Sequence, residues 1–332
     1  MTDRRPTSLV LLTLMLLLGL SACGPKGADS NPAGASAAMP AQDARSAEAD
    51  AAHAKEFAAF REQRHNNLKR PASWLSLVGL YWLHEGDNSA GSAPTSEVVF
   101  PLSLPANLGT FVVPGPDGAT AELRTSGGFT VNVEGEPEAK TVVPMFADSS
   151  GKAKIVSAGS VSFFIIDRQG KIGVRIKDSE SPTLKNFTGI ETYPLSWEWR
   201  LRTRFEPAPP GRKIKVPNVL GQVDEQESAG IIEFEKNGRT WRMEALLGEG
   251  EDGLYFVFGD GSNGRGTYGG GRFLEAKVEG GSRKTATTAL VDFNFAYNPP
   301  CVFTPFATCP LPPAESKIEL PIEAGEKVWG QH

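Results

Sequence analysis

From Leu75 to Phe293 the chain is written in short apolar or alternating runs, each closed by Gly, Pro, Asn or Asp after about ten residues. Side chains alternate across a strand with period two, and these punctuating residues supply the turns, so the rhythm specifies antiparallel β-structure. Strands are expected over 75–83, 97–100, 109–113, 129–133, 154–156, 161–167 and 171–177, then 197–205, 230–235, 239–246, 253–258, 273–278 and 287–293. About 260 residues of this pattern exceed one small core, and the turn-rich stretch from Ser181 to Pro194 is the natural division. The fold class is mainly β: an antiparallel β-sandwich over 71–185, then a second antiparallel β-domain over 186–332 that carries a Pro/Cys motif. Residues 46–70 differ, with Ala, Glu, Lys, Arg and Gln around Phe57 and Phe60, a helical pattern with a narrow apolar stripe that Pro71 stops.

The amino terminus reads as an address. Arg4 and Arg5 precede an apolar run from Leu9 to Leu20, which is short for a bilayer span and suited to an export signal. Leu20-Ser21-Ala22-Cys23 resembles a bacterial lipobox, in which the cysteine is acylated and becomes the new amino terminus, so residues 1–22 are expected to be removed. Gly24, in place of an aspartate, resembles lipoproteins sent to the outer membrane, facing the periplasm. A lipidated Cys23 anchors the chain without spanning the membrane, each buried methylene contributing ~0.8 kcal/mol. Residues 23–45, rich in Gly, Pro, Ala and Ser, form a flexible tether.

Removing residues 1–22 takes away Asp3, Arg4 and Arg5, a net +1, so the chain's charge of −5 becomes −6. An acidic surface without a basic stripe argues against nucleic acid as a partner. Export leaves Cys301 and Cys309 in an oxidising compartment, where a disulfide is expected. A metal pair or a redox-active dithiol are the alternatives, and neither has C-x-x-C spacing or a nearby histidine.

The run from Asp292 to Pro313 holds six prolines and two cysteines in 22 residues. Period-two alternation places Asp292, Asn294 and Ala296 on one face, with Phe293 and Phe295 on the other, before Pro299 and Pro300 end the pairing. With Arg272 after Tyr268 and three glycines, these polar groups are expected to meet around a hollow. The ligand-binding candidates are Arg175, Asp178, Tyr268, Arg272, Asp292, Asn294, Tyr297 and Asn298, with Trp82 as a further stacking surface. Asp292 and Arg272 are also the catalytic candidates. Asp and Asn equally cap turns, and proline-rich segments equally cover sheet edges. Arg175 and Asp178 are either an ion pair lining a cleft or a pair fixing a turn.

The chain resembles the DUF1684 family, bacterial proteins of unassigned function. The resemblance rests on Trp74 to Leu83 with Gly86, Gly173-Val-Arg175 through Asp178, Thr267 to Leu274, Asp292-Phe-Asn, Ala296 to Cys301, Cys309 to Pro313, and Ala324-Gly-Glu326. Phe295 stands where the family motif carries a basic residue. The layout of the first half is similar in rhythm to a forkhead-associated sandwich, without that family's phosphothreonine-reading residues.

Other signatures fail on inspection. Gly259 to Gly264 fits G-x-G-x-x-G but no helix follows, so it reads as a hairpin loop. The calcium-loop pattern from Asp260 ends in Gly271 instead of glutamate, and Ser262 lacks a nucleophile elbow. His53 and His65 fall on the polar helix, which leaves His84 as the histidine able to enter a buried site. No metal or cofactor is implied. Two functions follow: a non-catalytic lipoprotein binding a small polar ligand or an envelope partner, or a hydrolase-type enzyme using Asp292 with Arg272 and Asn294 or Asn298. A thiol-redox protein using Cys301 and Cys309 is a further alternative.

Overall fold

Ser46 opens helix α1 (Ala47–Leu68), its Oγ accepting from the Ala49 amide at 3.1 Å, with Glu48 and Asp50 suiting the positive end of the helix dipole. A computed structural model describes residues 39–42 and 45–330; the expected signal segment, Cys23 and most of the expected tether lie outside the described residues. The helix stops three residues before Pro71, as expected. His53, Phe57, Phe60, Arg64 and Leu68 form one stripe at helical spacing, and His53, Phe57 and Leu68 are buried.

Ten strands follow: β1 (Leu77–Trp82), β2 (Gly86–Gly91), β3 (Val98–Val99), β4 (Gly109–Val113), β5 (Ala121–Thr125), β6 (Asn132–Val133), β7 (Val142–Met145), β8 (Val156–Ala158), β9 (Val161–Arg168) and β10 (Lys171–Asp178). They form two five-stranded sheets, ordered β1-β10-β9-β8-β6 and β3-β2-β4-β5-β7, antiparallel except where β2 meets β3. The core between them is aromatic and aliphatic: Phe163 meets Phe100 and Phe111 edge-on, at 5.0 and 6.0 Å between ring centres. Each such fully buried side chain stabilises the fold by about 1.5–3 kcal/mol.

The second set is β11 (Arg200–Pro207), β12 (Lys213–Pro217), β13 (Val223–Lys236), β14 (Arg239–Leu247), β15 (Gly253–Phe258), β16 (Arg272–Glu279) and β17 (Thr288–Asp292). Their order β11-β17-β16-β15-β14-β13 closes on itself because β11 also pairs with β13, giving a six-stranded antiparallel barrel with β12 attached to the near end of β13. Alternate residues fill it, among them Leu201, Phe205, Ile232, Phe234, Phe256, Leu274 and Val291. The closing seam depends on Gly230, whose φ is +142° and whose side chain, if it had one, would start 2.3 Å from the Glu206 carbonyl oxygen.

The mainly β reading holds, with 109–113 and 253–258 matching strand for strand. The expected strand through Phe293 is corrected: β17 ends at Asp292, and Phe293–Phe295 form a single helical turn because the Asp292 carboxylate accepts from the Asn294 amide at 3.1 Å. Alternation therefore fails beyond Phe293: Ala296, three residues on and of opposite parity, enters the barrel core with it, while Asn294 turns toward Ser196.

Candidate functional site

That helical turn opens the barrel wall. Strands β16 and β17 pair at Lys277↔Leu290, Val278↔Ala289 and Glu279↔Thr288, and β16 meets the chain again where Phe273 and Tyr297 exchange both amide–carbonyl bonds at 2.9 Å. Between these points Leu274, Glu275 and Ala276 face the six residues 291–296, so the ladder cannot continue. A cavity of about 390 Å³ occupies the gap. Glu275, Ala276, Leu290, Asp292 and Tyr297 line it from the barrel, Phe295 from the turn, Glu249 and Leu254 from the neighbouring edge, and Glu56 and Phe60 from α1. Burial, together with the Glu275 charge, raises the Tyr297 hydroxyl well above the usual tyrosine range, and that hydroxyl donates to Glu275 Oε1 at 3.3 Å.

Asp292 fixes one edge of the cavity. It lies opposite Arg200 on β11, and both side chains point outward from the barrel. Its Oδ2 accepts from Arg200 Nη1 at 3.1 Å and meets His53 Nε2 at 2.6 Å; its Oδ1 accepts from the Asn294 amide and from Asn294 Nδ2 at 2.7 Å. With every other contact a donor, the histidine tautomer that fits carries its hydrogen on Nε2. His53 Nδ1 is then a buried atom with no partner among the described residues. Around it, Trp197 packs edge-on at 5.1 Å, and Phe57 and Phe60 clamp Phe295. Lower on the same helix, Arg64 donates to Glu326 Oε1 at 3.0 Å and to the Asn298 carbonyl at 2.8 Å. The expectation that His53 is merely a polar surface residue is thus corrected: it is 3 % exposed. The signal was available in its position four before Phe57.

Arg272 does not join Asp292. On β16 it has the parity of Leu274 and Val278 and so points into the barrel, while Asp292 has the parity of outward-facing Leu290. Its Nη2 donates to Asp260 Oδ2 and to the Ile322 carbonyl, each at 2.9 Å, and its Nη1 donates to the Ala324 carbonyl. Full burial pulls its pKa down against the opposing charge of Asp260. The guanidinium therefore ties the chain's final segment across the barrel end and faces no cavity shared with Asp292. Asp260, which the sequence offered only as part of failed motifs, is its counter-charge.

Residues 185–327 match the model of DUF1684, a protein family described as of unknown function. The likeness to the DUF1684 family therefore lies in this carboxy-terminal region. The match contains the whole barrel, the gap in its wall and the Pro/Cys motif, whereas residues 74–83 and 173–178 lie outside it. No curated protein matches the sequence. The uncharacterized protein from gene locus rrnAC0354 of Haloarcula marismortui, known from solution NMR, is similar over 43 % of this chain and 78 % of its own, at 22 % identity and a TM-score of 0.36.

Within the DUF1684 region Asn294 and Asn298 act on backbone. Asn294 bonds the Ser196 amide and carbonyl at 2.9 and 2.8 Å, and Asn298 donates to the Lys327 carbonyl at 2.7 Å and, through its amide, to Glu326 Oε2 at 2.7 Å. Tyr268 packs with Leu68, Phe303 and Trp329 and lines a different cleft, beside Cys301. Cys301 and Cys309 are joined, their Cα atoms 6.2 Å apart. The loop they close leans on the sandwich: Thr304 donates to the Leu77 carbonyl at 3.0 Å, and Arg175 Nη2 reaches Thr308 Oγ1 at 3.0 Å.

The remaining candidates lie on the sandwich. Arg175 stacks over Trp74 and Phe164, and burial, reinforced by Arg168 and opposed by Asp148, pulls its pKa down to about 10. Asp178 accepts instead from the Glu180 amide at 2.9 Å, fixing the turn after β10; three residues along a strand place the two on opposite faces, so they form no pair. Trp82 carries Lys171 over its ring at 5.0 Å. His84 is exposed and meets Glu97 at 2.8 Å, which corrects the expectation that it is the histidine suited to burial.

Proposed function

We propose that this chain is a bacterial envelope lipoprotein, anchored through an acylated Cys23 with its β-rich body in the periplasm, that binds a small polar ligand in the gap of the DUF1684 barrel. The observation that carries the ligand site is the break in the wall between β16 and residues 291–296, because an interrupted ladder leaves a lined cavity where a barrel would otherwise be sealed. Its rim is preorganised: each Asp292 oxygen accepts two bonds, and α1 is fastened at His53 and Arg64. The anchor is supported by the apolar run ending at 20–23; among the described residues no helix is long and apolar enough to cross a membrane.

The contact of Asp292 with His53 is the feature that favours a hydrolase. The histidine projects from α1 onto a carboxylate that is already saturated, which suits fastening better than proton transfer.

Thermal-shift measurements of the processed protein against small polar compounds test the binding reading. A true ligand raises the melting point of the wild type by mass action and loses its effect in Ala276→Phe, which fills the gap. Compounds that protect both proteins equally, or none that protects either, contradict it. For the anchor, an alkynyl fatty acid should label the wild type and not Cys23→Ser; labelling of both excludes acylation at that cysteine.

A further inference from the structure

The same cavity has a chemical bias that specifies its ligand more narrowly, and the inference rests on the binding reading above. Its aromatic walls are Phe60, Phe295 and Tyr297, and its charged lining does not balance. The two cations on the rim are committed: Arg200 to Asp292 at 3.1 Å, and Lys277 to Asp252 at 3.3 Å. Asp292 is likewise neutralised, by Arg200 and the donors around it. Glu56 and Glu249 have no cation partner among the described residues, and Glu275 holds only the Tyr297 hydroxyl. Three exposed glutamates therefore line the rim of an aromatic hollow whose two lining cations are already paired, while Arg283 nearby is held by the Gly250 and Gly253 carbonyls.

We infer that the ligand is an organic cation with an apolar body, an amine or quaternary ammonium compound whose positive group sits by Glu275 and whose carbon skeleton packs on the aromatic rings. Carboxylates attract the charge at close range, aromatic faces present negative potential to it, and the same carboxylates repel anions. One outer face of Tyr297 is already occupied by Arg64, at 4.9 Å from the ring centre. That stacking shows the ring already in contact with one cation, and its hydroxyl is bonded to Glu275.

The test compares choline with 3,3-dimethylbutan-1-ol, its neutral isostere, and with acetate and glucose, by calorimetry on the processed protein. Choline should bind at least about ten-fold more tightly than the isostere, an advantage that charge alone supplies. Glu275→Gln, which keeps shape and hydrogen-bonding capacity, should remove most of that advantage at an unchanged melting point, and Ala276→Phe should abolish binding. Equal affinity for choline and its isostere, or choline binding indifferent to Glu275→Gln, overturns the inference. If glucose or acetate binds and Ala276→Phe blocks it while choline does not bind, the cation inference falls and the binding site stands. If no compound of any charge binds, both fall.

Discussion

The sandwich and the barrel follow the same alternating pattern but differ in how completely their ladders are made. In the sandwich, β9 and β10 pair without interruption from Lys171↔Arg168 to Asp178↔Val161, and the space between the sheets is filled by Phe100, Phe111 and Phe163. In the barrel, β16 and β17 part after Lys277↔Leu290, and the interior contains a charged pair, Arg272 with Asp260. A closed ladder over an apolar core gives a rigid support. An interrupted ladder exposes edges and inward-facing groups that a ligand can reach, and helix α1 covers part of that opening.

The largest effects should separate the two cores. Phe163→Ala leaves a cavity in the sandwich and Asp260→Leu strands the Arg272 charge in the barrel, and each should cost about 3–5 kcal/mol in urea unfolding. They differ in rescue. Adding Arg272→Leu to Asp260→Leu should recover much of the loss, since an apolar pair replaces a buried charge, whereas no change of charge repairs Phe163→Ala. Failure of the double variant to recover would mean that the pair's backbone bonds to Ile322 and Ala324 hold the barrel end more strongly than the charge pairing does.

A smaller loss, about 1–2 kcal/mol, is expected for His53→Ala, because Asp292 keeps Arg200 and Asn294 after the histidine contact is removed. Hydrogen exchange should accelerate in α1 and leave β9 and β10 unchanged; acceleration in the sandwich as well would mean that the helix supports both bodies.

The smallest effect is a titration. Burial raises the ionisation of Tyr255 and of Tyr297 well above the usual tyrosine value of 10; Tyr297 and Glu275 push Tyr255 further up, while at Tyr297 the push from Glu275 is opposed by Arg64 and by the bond with Tyr255. Groups raised in this way contribute stability that is fully present below the unfolded value and is lost as pH climbs through the folded one. In an alkaline absorbance titration the barrel pair should therefore ionise late and together with unfolding, after the less buried Tyr81 of the sandwich. Tyr297→Phe should remove part of the late component; a loss from the early component instead would place Tyr297 in contact with solvent.

Much of the fold is legible in the residues, because strands such as Gly109–Val113 and Gly253–Phe258 carry apolar runs between turn formers. Strand β2 is not, since Gly86–Gly91 is polar and small and is held by neighbours, including Asn88 bonding the Phe111 carbonyl. Strand β12 shows the alternation of Ile214 and Val216 with lysines, but over five residues that end in Pro217 this signal is short. The site was half legible. Asp292 and Tyr297 line the cavity, but strand pairing puts Arg200 opposite Asp292, and no local pattern encodes that register. Arg272 was misplaced for a related reason: which face of β16 turns inward follows from barrel closure, which only long-range contacts determine. The His53 stripe was readable, and its burial needed the barrel wall against which it packs.

The most direct test is amide chemical-shift mapping of the processed protein titrated with choline. The account predicts saturable shifts concentrated at 274–277, at 291–297 and at 56–60 on α1, with the sandwich silent. Shifts centred instead on Tyr268, Phe303 and Trp329, or on the loop around Asp260 and Pro312, would contradict it, as would no saturable shift at the gap.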